Sequence, residues 1–251
     1  MIDTHCHLLP NLDDGPSDWD QSLALAQTLV ADGITEVIAT PHQLGMFGNV
    51  DACEQIRLEV GRLNKRLTKA GIDLKVYSGA EIRLDVNLSK LLDEGMLLTL
   101  ADSPYLLLEL PSQQLIDITV LINDLINHDL IPVIAHAERL TFLKKKSAVL
   151  SHWRSAGALI QVTAPGLMGD WGSKISTFAW QLILSGYASV LATDAHDTDK
   201  RRPRLTEAHA AVAARLGIHI ADRLTMENPA KILSGADLVP LFVGQNKSFH
   251  S

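Results

Sequence analysis

The chain opens on two histidines, His5 and His7, whose spacing suits a divalent metal ion. Alternate side chains of a β-strand leave the same face, so both imidazoles would project together and Cys6 would point to the opposite side. Two carboxylates, Asp13 and Asp14, follow a few residues later. A lone His-x-His pair is also common as two histidines that bond to water or backbone. The prediction of a metal site therefore depends on whether the rest of the chain supplies ligands at matching places.

Other metal-capable side chains come directly after apolar segments that have the length and composition of strands. Any one of these residues could simply be a polar residue at a strand end that bonds to water or backbone. Six of the seven predicted strands carry such a residue, however, and coincidence does not readily explain so many. Imidazoles suit zinc, iron and manganese, and carboxylates can bridge two cations. Nine candidates exceed the needs of one tetrahedral ion, so two or three ions are predicted. The candidate ligands are His5, His7, Asp14, His42, Glu81, Glu109, His136, Asp194 and His196.

Three further residues are candidates for supporting roles. Arg139 comes shortly after one candidate ligand and Arg201 shortly after another. Guanidinium groups bind phosphate through two parallel hydrogen bonds, although spacing alone fits a surface ion pair equally well. Asp3 shares a strand face with His5 and is a hypothetical acceptor for that imidazole. Since a multinuclear site can clamp the oxygens of an in-line displacement at phosphorus, the set favours phosphoryl chemistry.

The elements that must position these residues alternate between strand and helix. Apolar residues recur at helical spacing between strands, as in the segment from Ile56 to Leu67, which Gly71 ends. Ser17 with Asp20 resembles a capping box and predicts where the first helix begins. Seven strand–helix units predict an α/β fold with a parallel sheet covered by helices. We expect a distorted (β/α)7 barrel with its site at the C-terminal ends of the strands; an open doubly wound sheet is the competing architecture.

Composition limits the class of protein. With 251 residues, of which 47% are hydrophobic, the chain can form one domain over residues 1–240, followed by a tail over residues 241–251. The net charge of −7 argues against a nucleic-acid partner. Neither a signal segment nor a membrane-length apolar run occurs in the sequence, which predicts a cytoplasmic protein without membrane insertion. The two cysteines imply no disulfide framework.

Two familiar routes to phosphate chemistry are absent from the sequence. The position six residues after each cysteine is Leu12 or Glu59, so no Cys-x5-Arg phosphate loop exists, which argues against a cysteine nucleophile. Neither a P-loop nor a Gly-x-Gly-x-x-Gly pattern occurs, so nothing in the sequence indicates a nucleotide cofactor.

The ordered motifs resemble the PHP (polymerase and histidinol phosphatase) superfamily over residues 1–233. Within it, the chain is most similar to the manganese-dependent bacterial protein-tyrosine phosphatases encoded with capsule and exopolysaccharide genes. The motifs that carry this resemblance are Ile2-Asp3-Thr4-His5-Cys6-His7, Asp13-Asp14-Gly15, Ala39-Thr40-Pro41-His42, Gly79-Ala80-Glu81, His136-Ala137-Glu138-Arg139, Gln161-Val162-Thr163-Ala164 and Thr193-Asp194-Ala195-His196.

The resemblance implies three Mn²⁺ ions, with iron or zinc as alternatives, and assigns their ligands by position. Arg139 and Arg201 match family arginines that contact phosphate. Together with His42, they are the catalytic residues that the resemblance implies. Ala137 stands where the family has proline, and Arg202 beside Arg201 leaves open which of the two faces phosphate. The implied ligand sets are His5, His7, Glu81 and Asp194 for one ion, Glu81, Glu109 and His136 for the second, and Asp14, His42 and His196 for the third.

The resemblance implies hydrolysis of phosphotyrosine on a protein, with a bacterial tyrosine kinase that controls capsular or exopolysaccharide synthesis as the expected partner. A homo-oligomer is left open. A small-molecule phosphatase of the histidinol-phosphate type and a non-catalytic metal-binding regulatory protein are the alternatives. Amidohydrolases also begin with His-x-His on a barrel, but they carry a lysine and a histidine where this chain has Glu109 and Thr163.

Overall fold

The computed structural model describes residues 1–48, 52–114, 116–145 and 147–238, so the predicted tail lies outside the described residues. The strands are β1 Ile2–Cys6, β2 Glu36–Ala39, β3 His42–Gln43, β4 Lys75–Ser78, β5 Glu81–Arg83, β6 Tyr105–Glu109, β7 Ile131–Ile134, β8 Leu159–Thr163 and β9 Ala188–Ala192. The α-helices are α1 Trp19–Ala31, α2 Cys53–Ala70, α3 Leu88–Asp93, α4 Thr119–Asn127, α5 Ser147–Ser155, α6 Ala164–Met168, α7 Ser173–Leu184, α8 Leu205–Leu216, α9 Ile218–Asp222 and α10 Asn228–Ser234.

The strands pair in parallel, in the orders β1-β2-β4 and β3-β5-β6-β7-β8-β9. The amide of Asp194 donates to the carbonyl of His5 at 2.8 Å, and the amide of His7 donates to the carbonyl of Ala195 at 2.9 Å. These two bonds join β1 to the chain that follows β9, so the two sheets meet at the C-terminal end of their strands. The predicted α/β class with parallel strands is confirmed.

Two of the seven predicted strands, the ones that end at Ala39 and at Ser78, are each followed by a further short strand that the sequence did not predict. Residues 40–41 separate β2 from β3, and residues 79–80 separate β4 from β5. Pro41 has no amide hydrogen and therefore cannot continue the ladder as a donor. Its carbonyl still accepts from the amide of Glu81 at 3.1 Å, so the interrupted strands stay in register. The interruption begins a new strand at His42 and another at Glu81, two of the candidate ligands.

Apolar residues cover both faces of the strands. Ile38, Leu107, Val133 and Val190 come from four different strands and pack in one buried cluster. Their neighbours along the same strands, such as Leu108, pack into a second cluster together with helix residues. Burial on both faces is typical of parallel sheets that helices cover. The first cluster packs between the strands.

Helices α1 and α2 differ in how closely they follow their sequence signals. In α2 the residues at helical spacing are buried, and Gly71 adopts the left-handed conformation that ends the helix. The first helix does not begin as a Ser17 capping box: the carboxylate of Asp18 accepts from the amide of Gln21 at 2.8 Å, and Asp20 lies inside the first turn. Over the described part of the chain, no helix combines the length and apolarity needed to span a membrane.

Candidate active site

A cavity of about 510 Å³ opens at the C-terminal ends of the strands. Six of the nine candidate ligands line it, and His5, His7 and His196 are buried against those six. Arg139 and Arg201 also line the cavity. The structure thus brings every candidate ligand and both candidate phosphate-binding arginines to one place. The lining ligands are Asp14, His42, Glu81, Glu109, His136 and Asp194.

The deepest part of the site is formed by His5, His7, Glu81 and Asp194, here called the inner donor group. The Nε2 atoms of the two histidines are 3.2 Å apart. Each lies 3.4 Å from Glu81 Oε2, and Asp194 Oδ1 is 3.3 Å from His5 Nε2 and 3.5 Å from His7 Nε2. The donor atoms of His5, His7 and Glu81 are mutually 3.2–3.4 Å apart, and three donors with such separations lie about 2 Å from a common centre, the length of a metal–nitrogen or metal–oxygen bond. The inner donor group therefore fits a metal ion.

Two residues behind the inner donor group orient its imidazoles. Gln161 Oε1 lies 3.1 Å from His5 Nδ1, and Asp13 Oδ2 lies 2.6 Å from His7 Nδ1. When Nδ1 donates to these oxygens, the neutral ring presents its Nε2 lone pair to the inner donor group. Two lone pairs that face each other at 3.2 Å need a proton or a metal ion between them, and a metal ion bound by both nitrogens would satisfy the two at once.

Sequence reasoning missed Asp13 and Gln161 in these orienting positions. Asp13 adjoins a candidate ligand, but nothing in its own spacing distinguishes the two aspartates, and Gln161 gives no local signal. The hypothesis that Asp3 accepts from an imidazole is wrong. Its carboxylate instead accepts from the amide of His5 at 3.2 Å and from the hydroxyl of Thr193 at 2.5 Å, so it joins two strands beneath the site.

Glu81 connects the inner donor group to a neighbouring set of donors. Its Oε1 lies 2.8 Å from His136 Nε2, and its Oε2 lies 3.1 Å from His42 Nδ1. Glu81 and His42 also form a compact trio with Glu109. Arg83, which sequence reasoning did not single out, pairs with Glu109 at 2.6 Å. A carboxylate with different partners on its two oxygens is suited to bridging two cations.

Asp14, His42 and His196 form the outer donor group. Asp14 Oδ1 is 3.2 Å from His196 Nε2 and 3.5 Å from His42 Nε2. The ring of His196 stacks on that of His7 at 3.8 Å, which places the inner and outer groups side by side. His196 Nε2 is buried without a geometrically acceptable hydrogen bond from any described residue, as expected of a nitrogen whose partner is a cation.

The charges of the site favour a bound cation. Burial alone would lower the pKa of His7, but the carboxylates of Asp13 and Glu81 outweigh it and raise that pKa to about 10. Burial and the neighbouring His7 cation lower the pKa of His196 to about 4. Burial opposes ionisation of Glu81 and Asp194, yet neighbouring histidines hold the pKa of Glu81, and arginines with histidines hold the pKa of Asp194, well below the usual range. Clustered carboxylates thus recruit a proton onto His7, which a metal ion can replace.

The two candidate arginines reach the cavity from different turns. Arg139 Nη2 donates to Asp194 Oδ2 at 2.6 Å, and its guanidinium lies 4.8 Å from the ring centre of Trp171. Arg201 donates to the same Asp194 oxygen at 3.0 Å and to Asp14 Oδ2 at 3.2 Å. Arg202 pairs instead with Glu207 outside the cavity, so the structure distinguishes the adjacent arginines. The buried Nε atoms of Arg139 and Arg201 have no hydrogen-bond partner among the described residues.

Two candidate ligands hold backbone conformations that are uncommon outside glycine. His136 has a φ of 32° and Asp194 a φ of 52°. Such strained residues persist only where the surrounding structure enforces them. The turn after His136 forms with Ala137 in it: the amide of Arg139 donates to the carbonyl of His136 at 2.9 Å, and Ala137 is fully buried. Alanine is therefore compatible with the turn that directs Arg139.

The cysteine between the first two ligands belongs to the core. Cys6 is fully buried and packs in the main apolar cluster, on the side of β1 away from the donors. Burial, reinforced by nearby carboxylates, raises the pKa of its thiol well above the ordinary value. Because the thiolate is the nucleophilic form, Cys6 is unsuited to act as a nucleophile.

Comparison with known proteins places this site in a family. The chain is 35% identical over 235 residues to the tyrosine-protein phosphatase YwqE of Bacillus subtilis, which covers 93% of this chain and 91% of YwqE. It is 27% identical over 240 residues to the tyrosine-protein phosphatase CpsB of Streptococcus pneumoniae, covering 93% and 98% of the two chains.

The fold has a close counterpart among solved structures. It matches, with a TM-score of 0.90 and 34% identity, a chain from the crystal structures of YwqE and CpsB, described as unique metal-dependent tyrosine phosphatases. That match covers 96% of this chain and 97% of the other. The model of the family described as "Capsular polysaccharide synthesis, CpsB/CapC" matches residues 1–234. The chain therefore belongs to the CpsB/CapC family of capsular polysaccharide synthesis proteins.

Proposed function

We propose that this protein is a metal-dependent phosphatase that hydrolyses phosphotyrosine on a protein. The observation that carries the proposal is the meeting of the inner and outer donor groups with Arg139 and Arg201 in one cavity. Such a site can hold cations and an anion together. The similarity to YwqE, a tyrosine-protein phosphatase, supports phosphotyrosine as the substrate.

The donor groups would hold three Mn²⁺ ions. The inner donor group would take one, the outer donor group a second, and Glu81 with Glu109 and His136 a third. When bound, the ions supply Lewis acidity toward phosphate oxygens and lower the pKa of water. Mixed imidazole and carboxylate donors suit manganese, and they also suit iron or zinc.

The side chains of the cavity have separate tasks in this scheme. Arg139 and Arg201 line the cavity, where they bind the phosphate oxygens and neutralise charge that develops on them. Asp194 holds both guanidinium groups in place from below. Burial lowers the pKa of His42, so its ring stays neutral and can act as a donor to a cation. The tyrosine phenolate leaves readily, because its conjugate acid has a pKa of about 10.

The substrate we propose is a bacterial tyrosine kinase that controls capsular or exopolysaccharide synthesis. Membership in the CpsB/CapC family supports this choice. The reaction would take place in the cytoplasm. A metal-dependent phosphatase that acts on a phosphorylated kinase could reset that kinase after each round of autophosphorylation.

Activity of the purified protein on a phosphotyrosine peptide tests the proposal. We expect hydrolysis that Mn²⁺ stimulates and that chelation abolishes, with elemental analysis to confirm that the metal has been removed. Histidinol phosphate and a phosphoserine peptide of the same sequence serve as comparison substrates. Hydrolysis that continues in verified metal-free protein, or a preference for histidinol phosphate, would contradict the proposal.

A further inference from the structure

The candidate cavity has one apolar wall in an otherwise charged lining. The wall is a short loop over residues 44–48 that follows β3, here called the lip. Met46 and Phe47 of the lip line the cavity and are 91% and 53% exposed. Every other described lining residue outside the lip carries a carboxylate, an imidazole or a guanidinium. Exposed apolar residues are unremarkable when scattered singly, but two on the wall of a charged cavity call for an explanation.

The backbone of the lip is closely constrained. Leu44 is buried and has a φ of 65°, which anchors the start of the loop in the core. Gly45 has a φ of 73°, and a Cβ at this position would stand 3.1 Å from Cγ of Arg83. A Cβ on Gly48 would stand 2.3 Å from the backbone of Leu44, so the loop closes on itself. The sequence therefore uses a tight turn to present Met46 and Phe47.

Phe47 stands at the edge of the candidate metal centre. Its ring centre is 5.9 Å from that of His42, with 24° between the ring planes. Roughly half of the Phe47 side chain remains exposed at the cavity. The phosphate-binding arginines line the same cavity, so a phosphomonoester bound there would bring its organic group near the lip.

We propose that Phe47 is a specificity-determining residue that packs against the aromatic ring of the phosphorylated side chain. The inference rests on the proposed function: at the same site, Phe47 would favour aryl phosphates over alkyl phosphates. Aromatic rings attract each other in offset or edge-to-face arrangements with centres about 4.5–7 Å apart. An alkyl phosphate offers the lip no ring and gains less from it.

Binding of two phosphonates to the Mn²⁺-loaded protein, measured by calorimetry, tests the inference. Benzylphosphonate carries an aromatic ring and methylphosphonate does not, while both present the same charged group. We expect the wild type to prefer benzylphosphonate. Phe47→Ala should raise the dissociation constant of benzylphosphonate by about tenfold and that of methylphosphonate by less than about twofold, because only benzylphosphonate loses a ring contact.

Three further variants serve as controls. Leu58 on α2 is 55% exposed, close to the value for Phe47, and does not line the cavity, so Leu58→Ala should leave both dissociation constants unchanged. Phe47→Trp should keep the preference, and Phe47→Leu should keep part of it. Thermal unfolding of each variant checks that the fold is intact.

The outcomes separate this inference from the proposed function. Equal affinity of the wild type for both phosphonates, or equal weakening of both by Phe47→Ala, would overturn the role of Phe47. If the protein hydrolyses the phosphotyrosine peptide but shows no phosphonate preference, the proposed function stands and the role of Phe47 is wrong. If the protein prefers benzylphosphonate but does not hydrolyse the peptide, the role of Phe47 stands and the proposed function is wrong.

Discussion

The inner and outer donor groups differ in how firmly the fold holds them. In the inner group, His5, His7, Glu81 and Asp194 are at most 3% exposed, and Gln161 and Asp13 orient the histidines from behind. In the outer group, His196 is buried, but the side chain of Asp14 is 31% exposed and that of His42 is 14% exposed. Asp14 is held by Arg201, which is itself a candidate phosphate-binding residue.

This difference teaches that one site can combine a preorganised cation position with an adaptable one. Buried donors with fixed orientation need little reorganisation when they bind a cation. Donors at an open cavity can change partners when substrate arrives, and Arg201 would exchange Asp14 for phosphate. We therefore expect the inner cation to be bound more tightly than the outer one.

The largest expected effect is that of Asp194→Asn. The change removes a charge that faces His5, His7, Arg139 and Arg201, so phosphatase activity should fall by more than about a hundredfold. Elemental analysis should find less bound metal. Asp199→Asn, an exposed residue of the same loop, is the control and should retain activity. Full activity and full metal content in Asp194→Asn would break the assignment of the inner group.

A smaller and reversible effect is expected for Asp14→Asn. The outer group loses its carboxylate but keeps two imidazoles, so activity should fall by about tenfold to a hundredfold and recover in part as Mn²⁺ is added. A titration of activity against Mn²⁺ measures this recovery. If Asp14→Asn and Asp194→Asn respond to Mn²⁺ in the same way, the distinction between the two groups is wrong.

The smallest expected effect is the release of at least one proton when the inner cation binds. His7 is protonated at neutral pH in the metal-free protein, because its pKa is raised to about 10, so a metal must displace that proton. His196 of the outer group is already neutral, because its pKa is lowered to about 4. Affinity for the first ion should rise with pH, and affinity for the outer ion should not. Calorimetry in buffers of different ionisation enthalpy counts the protons.

Much of the fold and of the donor set could be predicted from local sequence patterns. The spacing of apolar residues predicts the alternation of strand and helix, and α2 is the helix that this spacing predicts. Candidate ligands could be found because each follows an apolar strand, and the C-terminal ends of parallel strands meet at one edge. The start of the first helix was mispredicted, since Ser17 and Asp18 are both good capping residues and only the backbone path selects Asp18.

Several features of the site could not be predicted because they join residues far apart in the chain. Gln161 orients His5 across 156 positions, and Asp3 bonds to Thr193 rather than to an imidazole. The choice between Arg201 and Arg202 depends on the loop that leads back to the cavity. No local spacing carries information about such contacts.

The sequence by itself determined which residues could bind a cation and at which end of the strands they would stand, since side-chain chemistry and strand period are properties of short segments. Tertiary structure alone decided the distances between them: the 3.2 Å that separates the Nε2 atoms of His5 and His7, the two partners of Glu81, and the tight turn that presents Phe47. The physical reason is that a binding site depends on separations of a few tenths of an ångström, which only the packed core beneath the strands can set.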